Sequence, residues 1–256
     1  MQARIVAAVR GAMWLAEGWQ LFRVAPLSWF ALVMAYLLIT QALALIPIAG
    51  PAAAAVLVPP FTVGLMSAAR AASRGARIEI GMLFDAFRSG LRAQLVLGAI
   101  YAACLLMVFA GAALALGQDS IGSPLAGEPQ GEADRGQLAA LLAVLSILYA
   151  PVMMMFWFAP PLAAWHSSGA AKALFYSFFA CLLNWRAFVA YGAVATAAVA
   201  IVPLLALYLF SAIAGPPSRA AAGGMVMVLV LVLMPTLFGS FYASYRDVFG
   251  VPARPA

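Results

Sequence analysis

A chain of 256 residues that is 66% hydrophobic and only 9% charged has too little polar surface to cover a water-soluble domain, so its apolar excess must face lipid. The net charge of +6 does not make it a nucleic-acid binder, because the basic residues border apolar stretches instead of forming one stripe, and no nucleic-acid motif occurs. Two cysteines, Cys104 and Cys181, without ligand spacing exclude a disulfide scaffold and imply no metal site. No cofactor is implied.

Residues 1–25 mix Arg4, Arg10, Glu17 and Arg23 with Trp14, Trp19 and Phe22. The charges leave no uninterrupted apolar core for a cleaved signal peptide. The aromatic residues among them predict an interfacial helix ahead of the first crossing. Six apolar segments follow, near 27–46, 50–69, 93–117, 137–162, 187–214 and 222–243. Each is long enough to cross about 30 Å of hydrocarbon as a helix. Their apolarity is continuous, without the alternation of a barrel strand, and a helix satisfies its own backbone in lipid.

The link between spans two and three carries Arg70, Arg74, Arg77, Arg88 and Arg92 against Glu79 and Asp85. At 100° per residue Ile80, Leu83, Phe84, Phe87 and Leu91 face one way, and Asp85, Arg88 and Arg92 the other, which predicts an amphipathic helix in the headgroup region. The five arginines are candidate contacts for anionic lipid headgroups, worth about 1 kcal/mol each at a charged leaflet. The alternative is that they only set topology. Residues 118–136 carry Asp119, Glu128, Glu132 and Asp134 among Gly and Pro, the composition of a flexible acidic outer loop.

Ahead of span five, Leu174, Phe175, Phe178, Phe179, Leu182 and Trp185 form an apolar face. Ser177, Ala180 and Asn184 opposite them make a strip of small and polar residues suited to close helix contact. With the N-terminus inside, 12 of the 14 basic residues fall on the cytoplasmic side. Only Arg135 and Arg219 remain outside, so both termini are expected in the cytoplasm.

An internal repeat is also present. Pro60 and Gly64, Pro161 and Trp165, and Pro235 and Gly239 recur late in spans two, four and six. Leu21-Phe22-Arg23, Ala86-Phe87-Arg88 and Asn184-Trp185-Arg186 recur ahead of spans one, three and five. The expected fold is therefore an all-α membrane protein with six transmembrane helices in three tandem hairpin units, 1–77, 78–169 and 170–256, each preceded by an interfacial amphipathic helix. Pro60, Pro161 and Pro235 are its candidate helix-kink positions.

The sequence of Pro59-Pro60-Phe61-Thr62-Val63-Gly64-Leu65-Met66, Leu83-Phe84-x-x-Phe87, Ala171-x-Ala173-Leu174-x-x-Ser177 and Tyr245-Arg246-Asp247-Val248-Phe249 resembles a family of uncharacterised proteobacterial inner-membrane proteins. It is similar, more distantly, to the membrane domain of some bacterial glycerophosphodiester phosphodiesterases. The resemblance implies a fold and a compartment. It implies no reaction, because the catalytic phosphodiesterase domain is missing from this sequence.

Few residues offer chemistry. His166 is the only histidine and lacks a second ligand or carboxylate nearby in sequence. No Asp, Glu, Lys or Arg lies inside a span as drawn, which weighs against ion-coupled transport. Gln41, Thr62, Ser146, Tyr149 and Thr196 are expected to hydrogen-bond between helices. No catalytic set occurs, so a non-enzymatic protein with a structural or lipid-interacting role in the envelope is expected, with membrane lipids as partners. A transporter or channel for a small or lipid-like solute is the alternative.

Overall fold

The computed structural model describes residues 3–250 except Ile48, Ser89, 117–131 and Pro216. Most of the acidic loop therefore lies outside the described residues, and its last part, from Glu132, opens a helix. The elements in chain order are α1 (Ala8–Val24), α2 (Pro26–Ala44), α3 (Ala49–Ser73), a 3₁₀ turn (Ile80–Phe84) running into α4 (Asp85–Arg88), α5 (Leu91–Leu116), α6 (Glu132–Phe156), α7 (Ala159–Trp165), α8 (Ala170–Leu183), α9 (Trp185–Ala214) and α10 (Arg219–Phe249). No strand occurs among the described residues.

Six helical stretches are long and apolar enough to cross a membrane: Pro26–Ala44, Ala49–Ser73, Leu91–Leu116, Gly136–Trp165, Trp185–Ile213 and Ala220–Phe249. They coincide with the six segments read from the sequence. Several run a turn or more past the apolar window, because a helix continues through polar residues until its backbone is capped or broken.

The fourth span is interrupted. Pro160 and Pro161 bring no N–H and so weaken the ladder ahead of them, and α6 gives way to α7 at Trp157 and Phe158. The opened backbone is met by α8. The Ser177 hydroxyl accepts from the Phe158 amide at 2.9 Å and donates to the Met154 carbonyl at 2.8 Å. From α5 the buried Gln94 amide donates to the Pro160 carbonyl at 2.9 Å. Pro161 thus sits in the first turn of α7, a position that tolerates proline, whereas Pro60 and Pro235 lie inside the continuous helices α3 and α10.

Span two is the hub. Half of its apolar window is buried by protein, against none of span five's, and α3 packs on α2, α5, α7, α10 and the 3₁₀ turn. The helix ahead of span one is not free on a surface. Its stripe of Gly11, Trp14, Gly18 and Phe22 is buried against α9 and α10. A Cβ at Gly11 would overlap the Ala187 backbone, and one at Gly18 the Thr236 carbonyl, with Gly239 facing Gly18 across the crossing. These glycines let helix backbones touch, as small residues do in membrane packing.

The segment ahead of span three is shorter than the single amphipathic helix expected from its pattern. Gly90 stands at positive φ, and between the 3₁₀ turn and α5 only one α-helical turn forms. Part of the apolar face packs inward: Leu83 is buried where Gly64 brings α3 close, and Phe84 and Phe87 pack edgewise or tilted on Phe61, whereas Ile80 and Leu91 are exposed. Ahead of span five, Ser177, Ala180 and Asn184 are buried, and Phe175, Phe179, Leu182 and Trp185 are exposed, as the strip reading requires.

Candidate functional site: a basic end sealed by aromatic and ionic contacts

The ends of α3, α7 and α10 meet at one end of the bundle. The Arg70 guanidinium lies 5.2 Å from the centroid of the Trp165 ring, a cation–π distance. Trp165 packs edgewise on Tyr245, and the Tyr245 hydroxyl is 2.7 Å from His166 Nε2. Ser73 donates to the Tyr242 hydroxyl at 3.2 Å. Burial, reinforced by the Arg70 charge, lowers the His166 pKa from its usual value, because both disfavour a second positive charge there. The lone histidine of the sequence is thus a neutral partner of a tyrosine at a three-helix junction.

A second cluster ties α1 to the end of α10. Arg10 Nε donates to Asp247 at 2.8 Å, and the Trp14 indole N–H donates to the same oxygen at 2.9 Å. Glu17 accepts from Arg10 at 2.7 Å on one oxygen and pairs with Arg246 on the other. The hydrogen bond to Asp247 raises the Arg10 pKa above its usual value. Two arginines and two carboxylates close on each other, so Arg10 and Arg246 add no uncompensated charge to this end.

Beside this cluster runs the N-terminal arm. The Arg4 amide donates to the Val248 carbonyl at 2.8 Å. Asn184, at the α8–α9 junction, accepts from the Val6 amide at 2.8 Å and donates to the Arg4 carbonyl at 3.1 Å. The motif Tyr245-Arg246-Asp247-Val248-Phe249 is thereby accounted for residue by residue. Tyr245 meets His166, Arg246 meets Glu17, Asp247 meets Arg10, Val248 meets the arm and Phe249 packs on Phe158.

The five arginines singled out by sequence divide. Arg74, Arg77, Arg88 and Arg92 are exposed, whereas Arg70 is half-buried on Trp165. No salt bridge among the described residues involves Arg74, Arg77, Arg88 or Arg92. Asp85, which belongs to the same link, is partly buried with Ser67 as hydrogen-bond partner, and burial raises its pKa.

Of the polar residues expected to join spans, Tyr149 does so, its hydroxyl 2.8 Å from that of Tyr101 on α5. Thr62 and Ser146 do not: each hydroxyl donates to the carbonyl four residues back in its own helix, which satisfies a hydroxyl in lipid without a neighbour. The sequence reading passed over Gln94, Tyr191 and Ser244, which form buried or half-buried links to the Pro160 carbonyl, Ser240 and Trp157. Their signal was weak, since Gln94 stands at the polar edge of a span and the other two look like ordinary span residues.

Helical spans with one basic end of this build define a multi-pass integral membrane protein. The chain is 36% identical over 267 aligned positions to a protein of Burkholderia thailandensis named Probable inner membrane protein, an alignment covering 100% of this chain and 97% of the relative. The chain belongs to that family of inner membrane proteins. No family model matches it, and no solved structure matches it. The distant similarity to the membrane domain of glycerophosphodiester phosphodiesterases gains no support from these comparisons.

Proposed function

We propose that this is a non-enzymatic inner-membrane protein whose basic end holds anionic lipid headgroups of the cytoplasmic leaflet, in a structural or lipid-organising role in the envelope. The observation that carries the reading is the division of the arginines. Arg10 and Arg246 are closed in ion pairs, whereas Arg74, Arg77, Arg88 and Arg92 are exposed without a salt bridge. Exposed guanidiniums at the mouth of a span suit phosphate headgroups. The polar groups near them serve contacts between helices: His166 faces Tyr245, and Ser73 faces Tyr242, which favours structure over catalysis at this end.

Three tandem units and cytoplasmic termini belong to the same proposal. Its test is mass spectrometry of the protein extracted with its own lipids, comparing wild type with Arg74→Gln/Arg77→Gln/Arg88→Gln. Wild type is expected to carry phosphatidylglycerol or cardiolipin in excess over zwitterionic lipid, and the variant to carry a smaller excess. Equal retention by both overturns the reading.

A carrier for a lipid-like solute is the second reading. It is favoured by an apolar groove of about 480 Å³ along α9, lined in part by Met153, Trp157, Phe188 and Thr196. Solute flux in vesicles that Thr196→Trp abolishes would support the carrier over the lipid-organising role.

A further inference from the structure

Where α5 begins, a cavity of about 740 Å³ opens between that helix and the turn joining α7 to α8, lined by Arg92, Val96, Ala163, Ser167, Gly169 and Lys172 among others. Its volume lies within the range of sites for small ligands. Two residues at positive φ, Gly90 and Ser167, turn the chain on either side of it. Gly90 adopts that conformation freely, whereas for Ser167 it is one that an L side chain rarely takes. The charge in the cavity is of one sign: Arg92 and Lys172 line it and no carboxylate does. Neither cation forms a salt bridge among the described residues, and the Lys172 ammonium lies 5.9 Å from the Tyr176 ring centroid. The first turn of α8 borders the same space with no acidic residue and no side-chain cap, which adds to the positive potential.

A second, apolar groove of about 440 Å³ shares Arg92 and Val96 with this cavity and follows α5 along Leu91, Leu95 and Ala99. Two cations therefore sit above a strip of aliphatic side chains that leads into an apolar span. A soluble phosphate would use the first feature and have no use for the second. An anionic phospholipid uses both, its phosphate pairing with a guanidinium and an ammonium and one acyl chain lying in the groove.

We propose that this cavity and groove form a discrete site for one anionic phospholipid, with Arg92 and Lys172 binding the phosphate and Leu95, Val96 and Ala99 contacting an acyl chain. The site rests on the lipid reading above but is separate from the Arg74, Arg77 and Arg88 surface. Lys172 is one of the 12 basic residues that the charge count puts on the expected cytoplasmic side.

The test titrates delipidated full-length protein with phosphatidylglycerol, phosphatidylcholine and inorganic phosphate, read by native mass spectrometry. Wild type is expected to take up one phosphatidylglycerol before any other lipid, and millimolar phosphate should not displace it. Arg92→Gln/Lys172→Gln should weaken that first binding step about thirtyfold. Val96→Trp, which fills the groove and leaves both charges, should weaken it too. Arg74→Gln/Arg77→Gln/Arg88→Gln should keep the first lipid and lose the looser ones.

Unchanged first binding in Arg92→Gln/Lys172→Gln or in Val96→Trp overturns the site. If the triple variant still loses anionic lipid in that case, the broader lipid reading stands without it. If neither arginine variant loses any, both are wrong. Competition by inorganic phosphate alone would make this an anion site and overturn the phospholipid assignment.

Discussion

His166 shows how little a residue's type says before its neighbours are known. In the sequence it is a lone histidine after span four, with no ligand or carboxylate to make it reactive. In the fold its Nε2 faces the Tyr245 hydroxyl at 2.7 Å, close to Arg70. Its pKa is lowered from the usual 6.5, chiefly by burial, with nearby positive charge including that of Arg70 adding to it. A lowered histidine pKa means that the unfolded chain binds the proton more readily than the folded one. The resulting stability is present above pH 6.5 and is lost as pH falls toward the folded value. No other histidine occurs, and ordinary carboxylates titrate lower, the partly buried Asp85 with its raised pKa apart. Melting temperatures of the detergent-solubilised protein should fall between neutral pH and about pH 5, and His166→Gln should flatten the slope. The same slope in wild type and variant would place the pH dependence elsewhere.

At the scale of elements, what could be read from sequence depended on whether a signal was local. The six spans were legible because the length of an apolar run maps directly onto the thickness of the hydrocarbon. The strip of Ser177, Ala180 and Asn184 was legible because helical periodicity alone groups it on one face. The docking of α1 was not, because the meaning of Gly11 and Gly18 lies in Ala187, Thr236 and Gly239, far along the chain. The segment ahead of span three kept its apolar face but not its helix, because a moment calculated on an ideal helix ignores the glycine at positive φ that ends it. The basic cavity was out of reach for the same reason as α1: it exists only where the start of α5 faces the turn after α7.

The α1 crossing gives a direct measurement. Adding one methyl at Gly18 drives it into the Thr236 carbonyl, whereas Gly223, on α10, has nothing within 4 Å of its would-be Cβ. Gly18→Ala should cost about 1–3 kcal/mol through overpacking. Gly223→Ala should be neutral or stabilising by up to about 1 kcal/mol through helix propensity. Reversible unfolding in mixed micelles separates the two, and equal stability of both variants would mean that α1 does not pack on α10 as described.

For the whole molecule, the contacts run in a cycle. The end of α3 leans on the 3₁₀ turn and α4, the α6–α7 pair on α8, and α10 on α1. Each even span thus rests on the element that leads into the next odd span, and the last rests on the element that leads into the first. Three tandem units closed into a ring would produce that order, which supports the proposed repeat. Closure also bears on topology. The Arg4 amide bonds to the Val248 carbonyl, and Asn184 holds the same arm, which supports the proposed topology with both termini on one side. That topology needs an even number of crossings, with α6 and α7 together making one span across the break at Trp157 and Phe158. The excess of arginine at this end is the ground for the proposed cytoplasmic side. A fluorescent reporter fused after Ala256 should be active inside the cell, and a phosphatase reporter inserted within 118–131 should be active outside it. A C-terminal reporter active only outside would mean an inverted topology, since the hydrogen bonds that join the N-terminal arm to α10 carry both ends to the same side. It would contradict the charge distribution and overturn the proposed orientation.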